Sequence, residues 1–166
     1  MPGGLLHTNI GACAMFSAVS GSSVATAATI GTVALDEFKR RVYNEPLVLG
    51  SIAAGATLGI LIPPSVNLII YGALTNTSIG QLFAAGILPG ILLTIVFMTI
   101  IVIAVLWKPS LAEQVTEVPP LNERLFRLRY LVPPLGIFVI VMGAIYGGWA
   151  TPTEAAALGV VLAFGL

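Results

Sequence analysis

The chain has 166 residues, 57 % hydrophobic and 8 % charged, with a formal net charge of zero. Soluble domains carry about 25 % charged residues, so this composition excludes a soluble globular domain and describes an integral membrane protein. The neutral balance, without a basic block, excludes a nucleic-acid binder, and one cysteine (Cys13) with one histidine (His7) excludes an intrachain disulfide and a Cys/His metal cluster.

Residues 1–35 read as an apolar hairpin interrupted at Ser20-Gly21-Ser22-Ser23. Each arm is too short for a full crossing, which needs roughly 20 apolar residues. A glycine flanked by serines suits a turn followed by a helix cap. The pattern predicts a re-entrant hairpin that enters from the cytoplasm and turns inside the membrane. The alternative is one tilted helix with a serine kink.

All seven basic residues fall in two clusters: Lys39, Arg40 and Arg41, then Lys108, Arg124, Arg127 and Arg129. The positive-inside rule makes both loops, 36–46 and 108–130, cytoplasmic. The crossings between them must then be even in number. From Pro46 to Trp107 no residue is charged, a run too long for one span. Its most polar point, Thr75-Asn76-Thr77-Ser78, divides it into a segment at 47–74 and a second at 75–107.

The first of these contains Ile62-Pro63-Pro64-Ser65. Proline lacks an N–H and disfavours helical geometry in the residue before it. Two in succession predict a broken helix, with halves at about 47–61 and 66–74. Beyond the polar loop, in which Arg124, Arg127 and Arg129 are read as membrane-side anchors, residues 131–149 cross outward to Trp149 at the interface. Thr151-Pro152-Thr153-Glu154 reads as a helix start, with Thr151 as cap and Glu154 closing a capping box. The last helix, 150–166, stops short of a span, so the chain is expected to be a segment of a longer permease.

Freed backbone groups are costly in lipid and persist where protein buries them or where they line a watery cavity. At the two interruptions four helix ends are expected at mid-membrane. Carbonyl ends suit a small cation and amide ends suit an anion. Ser20, Ser22, Ser65 and Thr57 offer hydroxyl oxygens; Gly21, Gly55 and Gly59 permit close approach; Asn67 and Tyr71 lie one turn apart and are expected along the same cavity. No acidic residue falls in the core, whereas a proton relay ordinarily has one, which tilts coupling toward Na⁺. His7 and Asn9 read as interface or packing residues.

These breaks resemble those of the large, DctM-type permease of the tripartite ATP-independent periplasmic (TRAP) transporters. The likeness is carried by Gly3-Gly4-Leu5 with Asn9, by Ser20-Gly21-Ser22-Ser23 followed by Ile30-Gly31, and by Ile62-Pro63-Pro64-Ser65 with Tyr71-Gly72. Ser78-Ile79-Gly80-Gln81 through Leu88-Pro89-Gly90, and Thr151-Pro152-Thr153-Glu154, extend it through nearly the whole chain.

The resemblance implies an all-α, elevator-type membrane permease of the ion-transporter superfamily, multi-pass in the bacterial inner membrane. It implies Na⁺-driven uptake of C4-dicarboxylates or other organic acids, with no cofactor beyond the coupling ion. The implied partners are a periplasmic solute-binding protein and a small four-helix membrane subunit. Carried over residue by residue, it assigns Ser20, Gly21, Ser22 and Gly59, with Thr57, to Na⁺. It assigns Ser23, Pro64, Ser65 and Asn67 to the substrate. At the position of Thr26 the family often carries an acid, a departure that leaves Thr26 unassigned, and the resemblance implies a second hairpin and second broken helix outside this chain.

Three other readings compete. A Na⁺/dicarboxylate symporter of the same superfamily would dispense with the binding protein. A passive channel would ignore the Na⁺ gradient. A serine hydrolase would need a base beside Ser20, Ser22 or Ser23, and His7 sits at least 13 residues away, roughly 20 Å along a helix; the chain is therefore read as a non-enzyme.

Overall fold

The computed structural model describes residues 3–112, 126 and 128–165. They form seven α-helices: α1 Gly4–Ser20, α2 Ser23–Lys39, α3 Glu45–Leu61, α4 Val66–Thr75, α5 Ile79–Trp107, α6 Val132–Tyr146 and α7 Pro152–Phe164. No strand occurs among the described residues. Arg124 and Arg127, with most of the loop at 108–130, lie outside them.

Local chemistry sets each boundary. Gly21 ends α1 in the left-handed region at φ 62°, and its amide donates to the Ser17 carbonyl at 2.8 Å. Glycine adopts that conformation without a Cβ penalty. Ser22 is extended and its hydroxyl accepts the Ala25 amide at 3.3 Å, capping α2. Two residues therefore reverse the chain, and α1 and α2 pack as a helical hairpin. Asn44 caps α3, accepting the Leu47 amide at 3.2 Å, with Pro46 in the first turn.

Helix α3 stops at Leu61 because Pro63 and Pro64 cannot donate, and Ile62 is extended. The chain becomes helical again at Val66. Ser65 does not cap α4 through its side chain. Its hydroxyl instead donates backwards to the Ile60 carbonyl at 2.8 Å, tying the two halves across the break. Helix α4 ends at Asn76 in the left-handed region (φ 53°). At α7 the capping box is complete: Glu154 accepts from the Thr151 amide at 2.8 Å, and Thr151 Oγ1 accepts from the Glu154 amide at 3.4 Å.

Three stretches are long and apolar enough to cross a membrane: Glu45–Thr75, Ile79–Trp107 and Arg129–Tyr146. The chain is a helical membrane protein. Helices α1 and α2 have 17 residues each, about 25 Å, which falls short of the roughly 30 Å hydrocarbon core.

Helix α3 is the centre of the packing, touching α1, α2, α4 and α5. Leu6 and Ile10 of α1, Phe38 of α2, Val48, Ile52 and Leu58 of α3, and Ile101 and Val105 of α5 form one buried cluster. Small residues bring the helices close. A Cβ on Gly55 would lie 2.8 Å from Cys13 Sγ, and one on Gly86 would lie 2.5 Å from the Leu61 carbonyl oxygen. Gly86 and Gly90 thus form the α5 seam on which the broken end of α3 rests. Helices α6 and α7 pack as a second pair that touches α1.

Candidate functional site

The two interruptions meet. The Val66 amide, first in α4, donates to the Gly21 carbonyl at the hairpin tip across 3.0 Å. A Cβ on Gly21 would lie 2.6 Å from the Pro64 carbonyl oxygen. A Cβ on Gly59, in the last turn of α3, would lie 2.8 Å from the Ser23 nitrogen and 2.9 Å from the Ser22 carbonyl carbon. Each break therefore carries a glycine where the other break presses on it. Larger residues at either position would hold the helix ends apart.

Four helix ends gather at this junction: the carbonyl ends of α1 and α3, and the amide ends of α2 and α4. The amides of Ser23 and Val24 in α2, and of Asn67 and Leu68 in α4, have no acceptor among the described residues. Such ends carry about half a positive charge. The carbonyl ends carry the opposite sign. One small volume thus offers both polarities without an ionised side chain.

A network of hydroxyls stands behind the tip. Thr26 Oγ1 donates to the Ser22 carbonyl at 2.8 Å and lies 3.2 Å from both Ser17 Oγ and Ser20 Oγ. Ser17, Thr26 and Ser65 are fully buried. Ser20 Oγ also accepts the Ser22 amide at 3.4 Å.

The junction gathers Ser20, Gly21, Ser22, Ser23, Gly59, Pro64 and Ser65. It does not gather Thr57 or Asn67. Thr57 is exposed and its hydroxyl donates to the Ala54 carbonyl of its own helix at 2.7 Å. Asn67 and Tyr71 are exposed on α4 and line no described cavity. Thr57 follows Gly55 by two positions, about 200° around a helix, and so faces away from the hairpin.

Sequence reasoning missed Ser17 and left Thr26 unassigned. A signal existed: the two are equidistant from the turn at 21–22, so a tight hairpin sets them opposite each other. It also read Asn9 as an interface or packing residue without seeing its partner. Asn9 is 4 % exposed, and its amide donates to Ser51 Oγ at 2.9 Å, which in turn donates to the Val48 carbonyl.

Beside the junction lies a cavity of about 350 Å³ between α1, the break, α5 and the α6–α7 pair. Val19, Pro64, Phe83, Phe138 and Val141 are among its walls, and every lining residue is apolar or glycine. It offers nothing to hold a charged ligand. The polar groups of the junction lie at the helix ends and in the hydroxyls behind them.

Comparison with known proteins fits this arrangement. The family model for the tripartite ATP-independent periplasmic transporter, DctM component, matches residues 1–166. The chain is 42 % identical to the C4-dicarboxylate TRAP transporter large permease protein DctM of Pseudomonas aeruginosa, over 96 % of this chain and 36 % of that protein. It is 39 % identical to the ectoine/5-hydroxyectoine permease UehC of Ruegeria pomeroyi, over 97 % of this chain and 37 % of that protein. It is also 39 % identical to the sialic acid permease SiaM of Vibrio cholerae, over 94 % and 36 % respectively. The chain thus spans little more than a third of the length of these relatives, all of which are named as transport proteins rather than enzymes. By the family match and the identity shared along nearly its whole length, the chain belongs to the DctM, or large permease, component of the tripartite ATP-independent periplasmic transporters.

Proposed function

We propose that the full-length protein containing this chain is a Na⁺-coupled secondary transporter subunit that imports organic acids, C4-dicarboxylates or other carboxylates, across the bacterial inner membrane. The observation that carries this reading is the meeting of two amide ends and two carbonyl ends at one junction, held by the Val66–Gly21 backbone bond. The amide ends of α2 and α4 suit a carboxylate; the carbonyl ends of α1 and α3, with serine oxygens, suit Na⁺.

In this reading Ser20, Gly21, Ser22 and Gly59 surround the ion, and Thr57, which faces away, takes no part. Ser23, Pro64 and Ser65 face the substrate, and Asn67 contributes its backbone amide rather than its side chain. The α1–α2 hairpin is re-entrant, the loops at 36–46 and 108–130 are cytoplasmic, and the hairpin and broken helix move together in an elevator. A periplasmic binding protein delivers the substrate, and a small four-helix membrane subunit completes the complex. Relatives are named for C4-dicarboxylate, ectoine, isethionate and sialic acid, and in this reading the binding protein selects the acid.

The test is uptake by the full-length permease with both partners in proteoliposomes, across a panel of labelled organic acids. An inward Na⁺ gradient should drive accumulation. Equal uptake with and without Na⁺ would refute the coupling, and uptake that persists without the binding protein would remove that partner.

A further inference from the structure

We propose that Thr26 is a positioning residue for the cation, because its hydroxyl takes the Ser17 proton, leaves the Ser17 lone pairs to accept, and makes Ser17 a further ligand. This rests on the cation reading above and names the atoms that serve it.

The inference follows from counting protons. A threonine hydroxyl has one proton to give and two lone pairs to receive with. Thr26 Oγ1 lies 2.8 Å from the Ser22 carbonyl oxygen, which can only accept, so the Thr26 proton is committed there. Ser17 Oγ and Ser20 Oγ each lie 3.2 Å from Thr26 Oγ1. With that proton spent, Ser17 must donate to Thr26. Ser20 donates either to the second lone pair of Thr26 Oγ1 or, at 3.5 Å, to the Ser22 carbonyl.

The consequence for Ser17 is directional. The Ser17 proton points at Thr26, so the Ser17 lone pairs point away from it. Ser17 and Ser20 are three residues apart and share a face of α1. Ser17 is fully buried and its oxygen accepts no hydrogen bond among the described residues. A buried oxygen with idle lone pairs and its proton held elsewhere is what a small cation requires.

The same count redistributes the roles at the tip. The Ser22 carbonyl already receives the Thr26 amide at 3.0 Å and the Thr26 hydroxyl at 2.8 Å. Both its lone pairs are used. The Ser22 hydroxyl receives the Ala25 amide. Ser22 therefore caps the helix and anchors Thr26, while Ser17, the second lone pair of Ser20 Oγ and the second lone pair of the Gly21 carbonyl remain for the ion.

The test is thermal unfolding of the purified full-length permease, titrated with NaCl against choline chloride at constant ionic strength. It is paired with uptake kinetics at saturating Na⁺. Thr26→Val keeps the shape and removes the hydroxyl. It should raise the half-saturating Na⁺ concentration about tenfold, the worth of one such hydrogen bond, and leave the substrate KM within about twofold. Thr26→Ser restores the hydroxyl and should recover Na⁺ affinity to within about threefold. Ser17→Ala should weaken Na⁺ in the same direction. Gly136→Ala, on a helix face with nothing within 4 Å, is the neutral control.

An unmoved Na⁺ midpoint in Thr26→Val overturns the role of Thr26, as does a parallel rise in substrate KM. An unmoved midpoint in Ser17→Ala removes Ser17 as a ligand. Wild-type protein that Na⁺ does not stabilise at all overturns the sodium reading itself, and the ligand roles fall with it.

Discussion

Gly59 and Ser23 touch through their backbones: a Cβ on Gly59 would stand 2.8 Å from the Ser23 nitrogen. Neither neighbour can yield, since the contact is main chain on one side and helix on the other. Gly59→Ala should therefore destabilise the full-length protein by about 1–3 kcal/mol, the usual cost of overpacking. It should also separate the hairpin from the broken helix and reduce uptake well beyond the stability loss. Thermal unfolding beside Gly136→Ala, together with uptake, checks both.

Gly86 bears on the same junction from α5. Its hypothetical Cβ falls 2.5 Å from the Leu61 carbonyl oxygen, again a backbone atom. Gly86→Ala should cost about as much as Gly59→Ala, whereas Gly50→Ala, with nothing within 4 Å, should be neutral or slightly stabilising, since alanine is the better helix former. A lowered unfolding temperature for Gly50→Ala alone would contradict this packing.

Ser65 links Ile60 to the far side of the break through a buried hydroxyl. Ser65→Ala leaves the Ile60 carbonyl without that donor and should lower stability by about 1 kcal/mol. Ser65→Thr keeps the donor in a fully buried position and adds a methyl, so it should be at least as damaging through crowding. Parallel thermal melts of the two variants separate hydrogen bonding from fit.

The Asn9–Ser51 pair makes a sharper case. Asn9 Oδ1 is buried and makes no hydrogen bond among the described residues, so the amide is held there by its nitrogen alone. Ser51→Ala removes that partner and should cost about 1–3 kcal/mol. Replacing both together, Asn9→Leu with Ser51→Ala, should cost less than Ser51→Ala by itself, because no polar group is then left unpaired. A double variant less stable than the single would reverse the reading.

At the other end of the chain, the Thr151–Glu154 capping box is exposed and local. Thr151→Ala should cost about 1 kcal/mol and leave Na⁺-driven uptake untouched in protein that remains folded.

What could be read from the residues divides along a physical line. The interruptions at Gly21-Ser22 and Pro63-Pro64 were legible because a missing Cβ and a missing N–H act on the residues that carry them. The start of α7 was legible for the same reason. The face of each helix was harder. Thr57 drew attention as a polar oxygen in an apolar run, yet its offset from Gly55 and Gly59 turns it outward. Ser17 and Thr26 are unremarkable singly and acquire meaning when the hairpin folds one onto the other. Gly86 becomes informative only once α5 is laid against the end of α3, a pairing that no local pattern announces.

The bond between Gly21 and Val66 uses main-chain atoms on both sides. No replacement at either residue short of proline at Val66 deletes it, so an alanine scan would pass over a direct tie between hairpin and α4 and score both positions only for shape. Replacing the Val66 amide with an ester, which keeps every side chain and removes one hydrogen, is the substitution that reaches it.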